Sequence, residues 1–305
     1  MAAVPDPAAG PASGAAAAGR AQVLSRLAPA IFLVFWASGF GVAKIGLRHA
    51  EPLVFLALRF ALIVALFLPA FLVLRPAGPA RRIDWLHLAV AGFLIQSVYF
   101  GLAYLGMSLG VSAGTAAVIA SLQPLLVALA APLVSDERVG RARWAGFALG
   151  AAGALLVVTA GETFRATLDA GVWLCLGSAA GMAAAVLYQR RFPVRVHPVT
   201  ANLVQYAVGL AMVAPLAVAL ESGSVDWTME LALSLGWLIL ANSIVAVSLL
   251  TFMIGRNEAA RVSALFFLVP PVAALFGWLL LGETLGPQAW CGMAVSLAGL
   301  RLAAR

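Results

Sequence analysis

The stretches "SLQPLLVALAAPLVSDERVGRARWAG" (Ser121–Gly146) and "FLVPPVAALFGWLLLGETLGPQAWCG" (Phe267–Gly292) carry one pattern twice. A Pro interrupts an apolar run, a Glu follows it, and a Trp-x-Gly enters the next run. Pro124 and Pro270 are 270 − 124 = 146 residues apart, and Glu137/Glu283, Trp144/Trp290 and Gly146/Gly292 repeat that offset. It extends outward to Pro52/Pro198, Phe60/Tyr206, Pro69/Pro215, Asp84/Glu230, Gln96/Asn242 and Gly153/Gly299. A register kept without gaps over four apolar runs reads as duplication of a larger unit.

What that unit is follows from composition. The 305 residues are 63% hydrophobic and 10% charged, and mean hydropathy is +1.02. No soluble domain hides so much apolar surface, so the chain reads as all-α and polytopic in the bilayer. Runs long enough to cross it, roughly 17–25 residues, fall at 28–48, 52–74, 85–108, 112–134 and 141–160. Five more fall at 169–189, 198–220, 231–255, 260–281 and 285–303. Residues 1–27, rich in Ala, Pro and Gly, read as a disordered tail. The halves then span 28–160 and 161–305.

Positive loops stay cytoplasmic. With the N-terminus inside, 15 of the 19 basic residues lie on the inner side, the exceptions being Lys44, Arg48, Arg59 and Arg165. Both termini are therefore expected in the cytoplasm. Because each unit has five spans, the second copy enters the membrane upside down. Inverted repeats of this kind mark transporters, since two similar halves facing opposite ways give two states of similar energy.

Span 1 reads "VFWASGFGVAKIGLRH" (Val34–His49) and span 2 "EPLVFLALRFALIVAL" (Glu51–Leu66). With the repeated Pro…Glu…Trp-x-Gly, these resemble the EamA branch of the drug/metabolite transporter superfamily over residues 28–303. The family's span 1 often reads Trp-Gly-Ser-Asn/Ser-Phe, and here it is Trp36-Ala37-Ser38-Gly39-Phe40. The resemblance implies a basket of ten transmembrane helices in two inverted five-helix repeats. It also implies a central cavity and movement of small metabolites, often outward, with amino acids among the cargoes of similar proteins. Nucleotide-sugar or drug carriage is the alternative within the same superfamily.

Arg59 is the most informative single residue, about 10 Å into span 2 at 1.5 Å per residue. A cation at that depth normally faces the bundle interior. It either grips a substrate carboxylate, with Lys44 assisting, or pairs with backbone carbonyls or Glu51. The other polar or aromatic candidates for substrate contact are Trp36, Ser38, Gln96, Tyr99, Gln123, Tyr188 and Asn242. Gln96, Phe100 and Tyr104 share one side of span 3 by helical spacing. Each of these amides and rings can equally bond one helix to another. Pro124 and Pro270 remove a backbone bond in mid-span and free carbonyls near Ala120 and Phe266, which makes them packing kinks or gating points.

Several classes are excluded. No Asp or Glu lies in mid-span, which leaves out the carboxylate relay of the four-helix multidrug pumps. No P-loop, H-E-x-x-H or nucleophile–base pair is present, so neither ATP hydrolysis nor an integral-membrane enzyme is expected. A sensor would normally bring a soluble domain, and the spans leave no room for one. His49, His87 and His197 form no cluster, and Cys175 and Cys291 sit in apolar runs, so neither metal nor cofactor is expected. The charge of +7 is scattered between spans, without a base-stacking face, which argues against nucleic acid. Gly106–Gly110, Gly146–Gly150 and Gly177–Gly181 are close-packing motifs. The expected partners are the lipid bilayer and a small-molecule substrate, with a monomer or weak homodimer in the cell membrane.

Overall fold

A computed structural model describes residues 11–130, 140–158, 170–246, 249, 269–283 and 286–303. Among them every regular element is a helix: α1 (Pro11–Gly46), α2 (Pro52–Leu74), α3 (Arg82–Ser108), α4 (Ala113–Ala120), α5 (Gln123–Ala130) and α6 (Arg141–Val158). The second half supplies α7 (Ala170–Arg191), α8 (Pro198–Leu220), α9 (Met229–Ala246), α10 (Val269–Leu281) and α11 (Pro287–Ala303). Among the described residues six helices are long and apolar enough to cross a bilayer, and the apolar stretches Ala113–Val127 and Val269–Leu281 are shorter.

The 146-residue offset reappears in the coordinates. Pro52 and Pro198 open α2 and α8, and Leu74 and Leu220 close them, so both ends differ by 146. Pro suits the first turn because its missing N–H would have no partner there. The two helices pack on each other, with the Phe60 and Tyr206 rings 5.6 Å apart edge to face. α3 and α9 each contain a π-helical stretch, Phe93–Phe100 and Leu238–Ala246, and the two overlap when the 146-residue offset is applied.

Spans 5 and 10 of the sequence reading make the closest crossing. A Cβ on Gly153 would lie 2.3 Å from Ser296 N, and one on Gly299 would lie 2.2 Å from Gly150 N. Backbones can approach this far only where side chains vanish, and lipid offers no hydrophobic force to replace that contact. Ser296 Oγ completes the crossing by donating to the Gly150 carbonyl at 3.2 Å. Gly106 likewise abuts the Gly171 carbonyl and Cys175 Sγ.

The sequence differs from the structure at three places. The described part of α1 reaches back to Pro11, inside the expected tail. Ala15–Ala18 explain this, because Ala is the strongest helix former and needs no buried face. Span 4 is two helices, α4 and α5, parted by a turn at Ser121–Leu122. Pro124 is thus the second residue of α5, where it costs no helical bond, while the residues before Val269, which would place Pro270 within its helix, lie outside the described residues. Glu137 and the Phe266 carbonyl lie outside the described residues.

Acidic residues at the helix ends join neighbouring elements. Glu221 accepts from Leu53 N and Val54 N, 2.9 and 2.8 Å away, and so caps α2 from the end of α8. Glu51, before α2, accepts from Ser222 Oγ and Ser224 N in return. Glu283 caps α4 through Ala113 N and lies 3.5 Å from Lys44 Nζ, which also donates to the Val111 carbonyl. His49 meets Glu230 at 2.8 Å, and Ala50 bridges to Val225. One end of the bundle is thereby clasped across both halves. The Ser222 hydroxyl donating to it, and then the neighbouring backbone N–H groups, hold the Glu51 carboxyl below its ordinary value.

Candidate substrate cavity

Beneath that clasp, α1, α2, α3 and α9 leave a cavity lined by Trp36, Gly39, Phe40, Arg59, Tyr99, Phe100, Ala103, Tyr104, Met107, Leu238 and Asn242. Its free volume is about 30 Å³, room for two or three waters at ~10–15 Å³ each. A metabolite enters only if the helices part.

Arg59 dominates the site electrically. It is 1% exposed. Nη1 donates to Tyr104 Oη at 2.8 Å and Nη2 to Ser243 Oγ at 3.0 Å. The guanidinium carbon sits 4.7 Å above the Phe100 ring, close enough for a cation–π contact. Nε, buried, has no hydrogen-bond partner. No described carboxylate reaches Arg59, and Glu51 is engaged with Ser222 and Ser224. The pairing with Glu51 read as one option from sequence is therefore not made. Phe100 and Tyr104 face each other edge to face at 6.1 Å, and Phe55 stacks behind Tyr104 at 5.8 Å, so the cation's partners are held by packed rings.

Of the residues expected to touch substrate, the structure brings Trp36, Arg59, Tyr99 and Asn242 together. Asn242 Nδ2 donates to the Phe35 carbonyl at 3.1 Å and toward that of Trp36 at 3.4 Å. Ser38 is turned away, donating to Phe35 O and accepting from Trp237 Nε1 at 2.9 Å. Gln96 is buried against Gly209 of α8, with Oε1 unpartnered. Tyr188 lies at the end opposite the clasp, its Oη 2.9 Å from His87 Nδ1. Gln123 is half-buried at the head of α5, outside the cavity lining. Lys44 belongs to the clasp.

Sequence spacing assumes an α-helix, but Phe93–Phe100 is wound as a π-helix, and Gln96 packs on Gly209 of α8 while Phe100 and Tyr104 line the cavity. The same winding in α9 leaves Asn242 on the cavity and Ser243 beside Arg59. Phe40, Met107 and Ser243 were missed from sequence, because nothing in an apolar span distinguishes them from lipid-facing or packing residues. Among the described residues no group of three or more His, Cys, Asp or Glu side chains is placed to hold a metal ion.

Comparison with known proteins identifies what this framework is. The EamA-like transporter family matches residues 18–159 and again residues 169–305. The chain belongs to that family. Its curated relatives include a "Probable amino-acid metabolite efflux pump" of Salmonella typhimurium, 27% identical over 88% of this chain and 91% of that protein. The "Uncharacterized inner membrane transporter YedA" of Escherichia coli is 27% identical over 86% of this chain and 84% of its own. A "Probable terminal-alkyne amino-acid exporter" of Streptantibioticus cattleyicolor is 28% identical over 88% and 90%. A solved crystal structure, 20% identical, superposes with a TM-score of 0.64 over 91% of this chain and 95% of that one. That likeness shows the fold. The chain is a membrane transporter of the EamA family and not an enzyme.

Proposed function

We propose that this transporter is a secondary carrier that exports an amino acid or related small compound across the cytoplasmic membrane by alternating access. The observation that carries the reading is the buried, carboxylate-free Arg59 in an aromatic-walled cavity between helices of both halves. A cation held away from water without an acid is poised for an acidic ligand, and only such a ligand offers a bidentate partner to its fork. Trp36, Phe40, Tyr99 and Phe100 would pack the rest of the molecule. The printed names of two relatives, an efflux pump and an exporter, support outward movement of amino-acid-like cargo. Relatives placed in the inner membrane support the same location here.

The carrier would be built as ten transmembrane helices in two inverted five-helix repeats, 28–160 and 161–305, behind a cytoplasmic tail. Supporting this are the equal bounds of α2 and α8, the paired π-helical stretches, the mutual crossing of Gly153 and Gly299, and the double match of the family. The bias of basic residues supports both termini inside. Pro124 and the break before α5 would serve as one gating point, Pro270 as its counterpart. A nucleotide sugar is disfavoured, since its diphosphate would meet a single cation in the lining.

Counterflow in proteoliposomes with labelled amino acids and related acids tests the function. Saturable exchange of at least one, weakened in a folded Arg59→Lys protein, is expected. Exchange indifferent to Arg59→Lys and to Arg59→Gln removes Arg59 from the site. A C-terminal phosphatase fusion that is active outside the membrane would overturn the topology and the inverted repeat together.

A further inference from the structure

The charges around the cavity say more about the cargo, provided the cavity is where cargo sits. Among the described residues lining it, Arg59 is the one charged group. Its two terminal nitrogens are met by neutral hydroxyls, which solvate a charge without cancelling it, and Nε is met by nothing. Burying a cation without a counter-charge is costly, so an anionic group completes the site.

A zwitterion would also need somewhere to put its ammonium group, and the cavity provides no acid for it. The twelve acidic residues of the chain include none in mid-span. Glu51, close along the chain to Arg59, is held by Ser222 and Ser224; Glu230, close to Leu238, is held by His49; and Glu283 is held by Lys44 and the head of α4. The Phe100 face already holds the Arg59 guanidinium, and the other rings of the lining attract a cation less than a carboxylate would. The Asn242 amide nitrogen is a donor and offers an ammonium hydrogen nothing, and its oxygen is a neutral acceptor that solvates a charge without cancelling it. A second cation a few ångströms from Arg59 would meet like-charge repulsion in a water-poor space.

We infer that the cargo is a monocarboxylate with an apolar or aromatic body and no free ammonium, such as a deaminated or N-acylated amino acid, and not the zwitterion. This rests on the carrier reading and narrows it. Arg59 takes the carboxylate, and Trp36, Phe40, Tyr99 and Met107 take the body.

The test uses the full chain in proteoliposomes loaded with labelled 3-phenylpropionate. Saturable counterflow is expected, with unlabelled 3-phenylpropionate or N-acetylphenylalanine competing ~10-fold or more better than phenylalanine, whose ammonium group finds no counter-charge in the cavity. The neutral 3-phenylpropionamide should not compete. Phenylalanine that exchanges as well as 3-phenylpropionate, with both blocked by a cavity-filling Gly39→Leu change in folded protein, overturns the inference and leaves the carrier reading standing. Exchange of either compound that Gly39→Leu leaves untouched overturns the cavity as the transport site, and this inference with it. If neither 3-phenylpropionate nor octanoate shows saturable exchange, the monocarboxylate assignment is wrong, and the amino-acid panel alone then decides the carrier reading.

Discussion

Gly39→Ala adds one methyl group at a place where the structure allows its effects on stability and on transport to be separated. A Cβ there would lie 2.4 Å from Asn242 Nδ2 and 3.2 Å from its Cγ. The Asn242 amide, the far end of a flexible side chain, must swing by about 1 Å or more to regain ordinary contact. It then gives up its bond to the Phe35 carbonyl and the longer one to Trp36. The Phe35 carbonyl is not orphaned, because Ser38 Oγ still donates to it at 2.9 Å. The loss is therefore that of a single neutral hydrogen bond, about 1 kcal/mol. Replacing Gly by Ala inside a helix returns ~0.5–1 kcal/mol. The net change in stability falls within ~1 kcal/mol, a shift in Tm of no more than ~2–4 °C. Transport should suffer far more, since both the methyl and the displaced amide enter a cavity of about 30 Å³. A tenfold or greater drop in counterflow is expected on the ~1.4 kcal/mol needed for it. Thermal unfolding in detergent and counterflow in proteoliposomes, run on one preparation, measure the two effects. Full transport with an unchanged Tm would refute the placement of Gly39 and Asn242 on the substrate path. A Tm loss well beyond a few degrees would refute the energy balance.

Gly299→Leu should destabilise by about 2–4 kcal/mol, from overpacking against Gly146 and Gly150 backbone and loss of the Ser296 bond. An unchanged unfolding midpoint would mean that α6 and α11 do not cross so closely. Pro124→Ala should leave stability within ~0.5 kcal/mol, because the residue sits in the first turn of α5. The regained N–H reaches back toward Ala120 and favours one continuous helix, so exchange should slow more than binding weakens. Equal exchange rates with a large loss of affinity would instead put Pro124 at the ligand. For Glu51 the carboxyl is depressed in the folded state, so its stabilisation is complete above its ordinary value of 4.5 and is lost as pH falls through the lowered one. Unfolding midpoints of the native chain and Glu51→Gln should differ near neutrality and converge in acid; curves that stay parallel would show that the clasp does not depend on that charge.

Membership of the bilayer, the existence of most spans and the internal duplication were all legible in the sequence. They depend on properties that sum along the chain: apolar length, the spacing of Pro, Gly and Trp, and the distribution of Lys and Arg. Arg59 was legible for the same reason, since a cation deep in an apolar run stands out whatever surrounds it. What it touches was not. Tyr104, Ser243 and Phe100 come to it from two other helices, and the sequence offered Glu51 as readily. Gln96 shows the limit most plainly. Its spacing from Phe100 and Tyr104 fits one face of an α-helix, yet in the packed bundle its side chain lies against Gly209 of α8. The carboxylates at helix starts were visible too, but not that Glu221 caps α2 and Glu283 caps α4. Chain-local patterns set which helices form, because each is decided by its own hydropathy and caps. Partners across helices are decided by crossing, winding and close approach, which exist only once the bundle has packed.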